Sequence, residues 1–149
     1  MKLMIVGTKP NDTIWKPGSR ALVGSRSGDR LARLMGVDLT DGRVETRNLF
    51  EAHEVVKVDC RRRAAEVLDY CKRHGVTHVV FLVNPRRVVD TAAARLKWYE
   101  DVGGMSIAFS PHPSGLSRWW NDEDNRQAAL RFWRHLGSMI EECQQVSSP

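Results

Sequence analysis

Three short segments carry residue types suited to chemistry. The first is Gly7-Thr8-Lys9-Pro10-Asn11, directly after an apolar run. Glycine there lets the backbone turn sharply and approach a ligand closely. Thr8, Lys9 and Asn11 would add hydrogen bonds and one charge. Taken alone, this segment reads as an ordinary strand-to-loop turn. The second is Ser110-Pro111-His112-Pro113-Ser114-Gly115, where two prolines hold the backbone around one histidine. An imidazole presented so rigidly can donate to an oxyanion or act as acid or base near neutral pH. The alternative is a stiff surface loop whose histidine satisfies a backbone group. The third is Asn48, whose amide offers both donor and acceptor and so matches the edge of a pyrimidine base. A lone asparagine more commonly bridges local backbone.

The elements that must position these groups alternate. Residues 2–6 read as a buried strand ended by Gly7. Residues 8–24, with two prolines and two glycines, form a long irregular stretch, and such stretches are usually functional or mobile. A helix is expected over 27–35 with Ser27 as N-cap, and a weak strand over 43–49. Asp59 opens the clearest helix, with Ala64, Val67, Leu68 and Cys71 in register and Gly75 closing it. Residues 78–83 are a continuous apolar run that suits a strand buried on both faces. A helix is expected over 87–99 on the register Val88, Ala92, Leu96, and a fourth strand over 106–109. The last helix covers about 122–145, with Ala129, Trp133, Leu136 and Ile140 as its apolar stripe.

That order implies a parallel sheet covered on both faces. Ligands bind such sheets beyond the carboxyl ends of the strands, where all three segments fall. Trp119 and Trp120 follow the histidine loop. They could stack on bases, or pack the last helix onto the sheet, which is the better reading for at least one. Trp15 lies in the long loop, where no regular element accounts for it. Arg61, Arg62 and Arg63 open a helix and read best as a solvated face.

The chain has 149 residues, 42% apolar and 28% charged, which fits one domain over 1–149 and excludes a disordered tail, a collagen and a coiled coil. The net charge of +5 suits a polyanionic partner only modestly. Three scattered cysteines make neither a disulfide framework nor a four-cysteine metal site. No metal and no cofactor is therefore expected. Cys60 and Cys71 read as free thiols on one helix. The N-terminal apolar run ends too early for a signal peptide, and no run approaches the ~20 residues that span a bilayer. The expected location is the cytoplasm.

These motifs resemble the uracil-DNA glycosylase superfamily. Gly7-Thr8-Lys9-Pro10 is similar to its first motif, G-x-x-P, and His112-Pro113-Ser114 to its second, H-P-S. Ala21-Leu22-Val23-Gly24 and Ser27-Gly28-Asp29-Arg30-Leu31 look like the P-F-V-G-x-x-G-x-x-L stretch of the family's iron–sulfur class. Asn48 resembles the strand-end asparagine that reads uracil. The resemblance covers residues 3–120. It implies a three-layer α/β/α sandwich with a four-stranded, mostly parallel sheet and a pocket for a flipped-out base. It also implies that His112 stabilises charge growing on the departing base. The chain departs from the family where a carboxylate or amide is usual, having Thr8 and Lys9 there. Asp12 is a substitute at unusual spacing. Leu22 stands where the stacking aromatic is expected, and the iron–sulfur cysteines are absent, so the resemblance implies no cluster.

Two functions follow from the resemblance. One is a base-excising enzyme in which His112, Thr8 and Asp12 act on the glycosidic bond. There Gly7, Pro10, Asn11, Leu22, Asn48, Pro113 and Ser114 would shape the base site. Lys9 would be a nucleophile or a neutralising charge. Leu116 would be a wedge into DNA and Arg118 a phosphate contact. The other is an inactive binder of a free or signalling nucleotide, in the manner of a phage-type sponge. There Lys9, Arg20, Arg26 and His112 would pair with phosphate and Trp15 would stack. An assembly role is a third option without specific support. The partner is thus DNA or a free nucleotide, with no membrane, and the oligomeric state is open.

Overall fold

A computed structural model describes residues 1–8, 21–50, 60–88, 94–100, 103–113 and 118–147, with side chains up to residue 142. The elements are β1 (Leu3–Gly7), α1 (Arg26–Met35), β2 (Val44–Asn48), α2 (Cys60–Arg73), β3 (His78–Phe81), β4 (Tyr99–Glu100), β5 (Ser106–Phe109) and α3 (Glu123–Ser147). Two 3₁₀ turns, Pro85–Arg87 and Arg118–Asn121, follow β3 and precede α3.

The sheet runs β2-β1-β3-β5-β4. The first four are mutually parallel, and β4 pairs antiparallel with β5. Every residue of β1 is buried, as expected for the inner strand of a covered parallel sheet. Leu3 and Ile5 join one core cluster with Val44, Leu31, Met35 and the stripe Ala129, Trp133, Leu136 and Ile140. Met4 and Val6 join the opposite one with Ala64, Val67, Cys71, Phe81 and Phe109. The period of two along β1 therefore separates the layers: α1 and α3 cover one face, α2 the other. This is the expected α/β/α sandwich, with five strands among the described residues instead of four.

The fifth strand comes from the segment expected to be helical over 87–99. Among its described residues, 85–87 form a single 3₁₀ turn, fixed by Asn84 Oδ1 accepting from the Arg86 amide at 3.1 Å. Pro85 starts the turn and the Val88 amide closes it on the Pro85 carbonyl. Leu96 takes a left-handed φ of 61° while its N–H donates to Phe109 O at 2.7 Å. Trp98 stacks on Phe132, its ring centroid 5.4 Å away, and Tyr99 pairs with Ile107. Contacts to β5 and α3 thus override the local helical register. Ala92 lies outside the described residues.

The N-cap of α1 also moves, from Ser27 to Ser25, whose Oγ accepts from Gly28 N at 3.0 Å. The deciding constraint is close packing. A Cβ at Gly28 would run into the Leu22 carbonyl oxygen, so the first turn of α1 lies against the loop before it. Asp59 lies outside the described residues, and α2 stops at Arg73 with Gly75 in the left-handed region just beyond. Cys60 and Cys71 are free thiols on α2, and burial pushes the Cys71 thiol up to about 11. Among the described residues, no helix is long and apolar enough to cross a membrane.

Candidate functional site

Because β1, β2, β3 and β5 are parallel, their carboxyl ends share one edge of the sheet. Thr8 leaves β1, Asn48 ends β2, Leu82 to Asn84 leave β3, and Ser110 to Pro113 leave β5. A cavity of about 250 Å³ opens there. Thr8 forms its β1 side; Leu82, Val83, Asn84 and Arg87 come from the β3 end. Pro111, His112, Arg95 and Trp119 close it.

His112 is held from both sides along its own backbone. The Trp120 indole N–H donates to the His112 carbonyl at 2.7 Å. Arg30, from α1, donates to the Pro113 carbonyl at 3.1 Å. Its guanidinium also lies 4.4 Å from the Trp120 ring centroid, so the two donors brace each other. Ser110 anchors the start of the loop: its amide donates to Phe81 O at 2.9 Å, and its buried hydroxyl accepts from the Trp133 indole at 3.2 Å. Helices α1 and α3 therefore fix the loop through side chains, in addition to the two prolines. Burial holds the His112 imidazole below its ordinary value of 6.5. At neutral pH the ring is uncharged, with one nitrogen able to donate and the other to accept.

Beside Thr8, the pairing of β1 with β2 sets Gly7 opposite Asn48. A Cβ at Gly7 would come within 2.5 Å of Asn48 Oδ1, so the amide leans over the glycine and occupies the space a side chain would take. The Leu22 side chain approaches the same point to 4.0 Å. Leu22 itself holds a φ of 67°, uncommon for a bulky side chain, as does Leu96 at 61°. The Leu22 carbonyl accepts the Ser25 hydroxyl at 2.7 Å, which fixes that conformation.

The fold thus gathers Thr8 and His112 on one cavity, and Gly7, Asn48 and Leu22 in a corner next to it. Pro113 is buried and serves through its carbonyl. Arg26 and Arg118 are exposed and line neither this cavity nor the one adjoining it. Lys9, Pro10, Asn11, Asp12, Trp15, Arg20, Ser114 and Leu116 lie outside the described residues. Of the tryptophan pair, Trp120 is core and Trp119 borders the cavity. Sequence reasoning missed Asn84, Arg87 and Arg95. The run Asn84-Pro85-Arg86-Arg87 directly after a buried strand was the available signal for the first two. No carboxylate lines the cavity among the described residues, and no group of three or more metal-ligating side chains occurs there.

A mostly parallel sheet with helices on both faces defines the class: an α/β/α domain. The model of the uracil DNA glycosylase superfamily matches residues 1–137, and the chain belongs to that superfamily. No curated protein gives a significant match.

Proposed function

We propose that the chain recognises a nucleobase between Thr8 and His112 and hydrolyses the N-glycosidic bond of uracil or a modified base in DNA. The observation that carries this reading is the neutral, clamped imidazole on the cavity wall. When a glycosidic bond breaks heterolytically, the base leaves with the bonding electrons and charge grows on its oxygens. A preorganised N–H in a desolvated site stabilises that charge more than the ground state. His112 supplies the N–H, and the guanidiniums of Arg87 and Arg95 on the same cavity add a favourable field. Asn48 reads the base edge, and the Thr8 hydroxyl, with Asp12, holds the attacking water. The partner in this reading is DNA, from which the base is flipped into the pocket.

The test is incubation with labelled single- and double-stranded DNA carrying uracil or other deaminated bases, scored for alkali-labile abasic sites. The expected result is cleavage that falls by roughly 10²–10³-fold in His112→Ala while DNA affinity changes little. Absence of abasic sites with every base overturns the hydrolytic reading.

One observation favours a second reading, a nucleotide-binding protein without the reaction. The described lining offers Thr8, Arg87 and Arg95 but no carboxylate to activate water. Such a pocket suits an anion. Under this reading Arg95→Ala weakens mononucleotide binding by tenfold or more, and no DNA substrate is cleaved.

A further inference from the structure

Residues 94–100 form a strap along the outer side of β5. Tyr99 pairs antiparallel with Ile107, and Glu100 with Ser106. At the other end, the Leu96 amide donates to Phe109 O at 2.7 Å. Ser106 is the first residue of β5 and Phe109 the last, so the strap spans the strand from its amino to its carboxyl edge. Arg95, at the carboxyl end, lines the cavity of the candidate site. Trp98 lies toward the amino end. Its ring stands edge-on to His78, the first residue of β3, with centroids 5.1 Å apart. It also stacks on Phe132 of α3 at 5.4 Å.

We propose that Trp98 is a positioning residue: its seat between His78 and Phe132 holds Arg95 on the cavity wall. This rests on reading that cavity as the ligand site, and adds what keeps one of its cations in place. Of residues 94–100, only Leu96 and Trp98 are partly buried; the others, Arg95 included, are exposed. The burial of apolar surface that docks the strap is therefore concentrated on those two. Pairing with β5 adds little, since β4 is only two residues long. Leu96 also takes a left-handed φ of 61°, which a bulky side chain keeps only where its neighbours impose it. Trp98, two residues on, has the apolar area to do so. The seat itself is firm. Phe132 stands edge-on to Trp133 at 5.6 Å, and Trp133 is fully buried with its indole N–H on Ser110 Oγ. One row of rings thus anchors the His112 loop at one end and the Arg95 strap at the other. Tyr99 closes the strap on itself, its hydroxyl accepting from the Ala94 amide at 2.8 Å. Arg95 and Trp98 lie inside that brace, so they move together.

The test pairs hydrogen exchange, read by NMR, with titration of the full chain by dUMP. In Trp98→Ala the Leu96 amide is expected to exchange tenfold or more faster, while the amides of β1 keep their protection. Trp98→Phe, which keeps a ring to stack on Phe132, should stay within threefold of wild type in both measurements. Arg95→Ala and Trp98→Ala should each weaken dUMP binding by tenfold or more. The double variant should bind within twofold of Arg95→Ala, because Trp98 acts through a group already removed. If melting curves show that Trp98→Ala does not fold, Trp98→Leu takes its place with the same expectations. Unchanged Leu96 exchange, or losses that multiply in the double variant, overturn the positioning role and leave the pocket standing. Binding of dUMP that Arg95→Ala does not weaken takes Arg95 out of the site and overturns the role of Trp98 with it. Failure of dUMP to bind the wild-type chain overturns the base pocket and the positioning role together.

Discussion

The two walls of the candidate site are built by opposite means. The His112 wall is held by added contacts: two carbonyls each receive a side-chain donor, and a cation–π contact joins the donors. The Asn48 wall, which belongs to the corner beside the cavity and not to its lining, is held by an omission, since Gly7 has no side chain and the amide fills the space. One wall fails when a donor is lost, the other when an atom is gained. A site of this kind tolerates different substitutions on its two sides, and the following variants are chosen to separate them.

The largest effect is expected at the wall built by omission. Gly7→Ala places a methyl group 2.5 Å from Asn48 Oδ1, closer than real contacts allow. Either the amide rotates away or β1 and β2 separate. Overpacking of this kind costs about 1–3 kcal/mol of stability. Under the proposed reading, in which Asn48 contacts the base, ligand affinity falls by tenfold or more because the amide is displaced. Chemical denaturation and titration with dUMP measure the two together. Gly7→Ala that binds as well as wild type would show that Asn48 takes no part in recognition.

Trp120→Phe should come second. It keeps an aromatic ring beneath Arg30 but removes the N–H that the His112 carbonyl accepts. Losing this hydrogen bond costs about 0.5–1.5 kcal/mol. The variant should lower kcat more than it raises KM for abasic-site formation, because it loosens the imidazole and not the base contacts. A change confined to KM would move Trp120 out of the positioning role and leave it as packing alone.

These two walls also differ in how legible they were. The histidine loop could be read from Pro111-His112-Pro113, because proline restricts backbone locally and needs no partner to do so. The inner strand β1 and the stripe of α3 were legible for a similar reason: a continuous apolar run and a 3.6-residue period are properties of the segment itself. Arg30 and Trp120 could not be placed as clamps, since their roles depend on α1 and the second 3₁₀ turn meeting over the loop. The segment from Pro85 to Glu100 failed more fully. Val88 and Leu96 lie at helical spacing, yet Leu96 answers to a carbonyl of β5 and Trp98 to Phe132 on α3. Arg95 entered the site only through that tertiary detour. The capping error had the same origin, since Ser25 and Ser27 are equivalent locally and only the approach of Gly28 to the Leu22 carbonyl separates them.

The smallest expected effect is on the pH dependence of stability. Burial depresses the His112 and His78 pKa values below 6.5 in the folded chain. The unfolded chain therefore binds more protons as pH falls through that region, and stability must decline there. The contribution is fully present above the unfolded value and diminishes toward pH 5. Replacing His112 by Phe, an aromatic side chain with no titrating group, should flatten the decline between pH 7.5 and 5, as read from denaturation midpoints across that range. A slope that is unchanged in this variant would mean that the imidazole titrates alike in both states, and the desolvated wall would lose its electrostatic basis.

The sheet's two margins bear on how the protein behaves at high concentration. A bare strand edge is a template on which another chain can add its own hydrogen bonds, the first step toward aggregates. One margin is β4, only two residues long and ending in Glu100. The other is β2, which carries Glu45 and Arg47 among its five residues, each tied to Tyr70 on α2. Short length guards one side and charge guards the other. Neutralising both Glu45 and Arg47 would leave β2 the weaker margin, where self-association would begin.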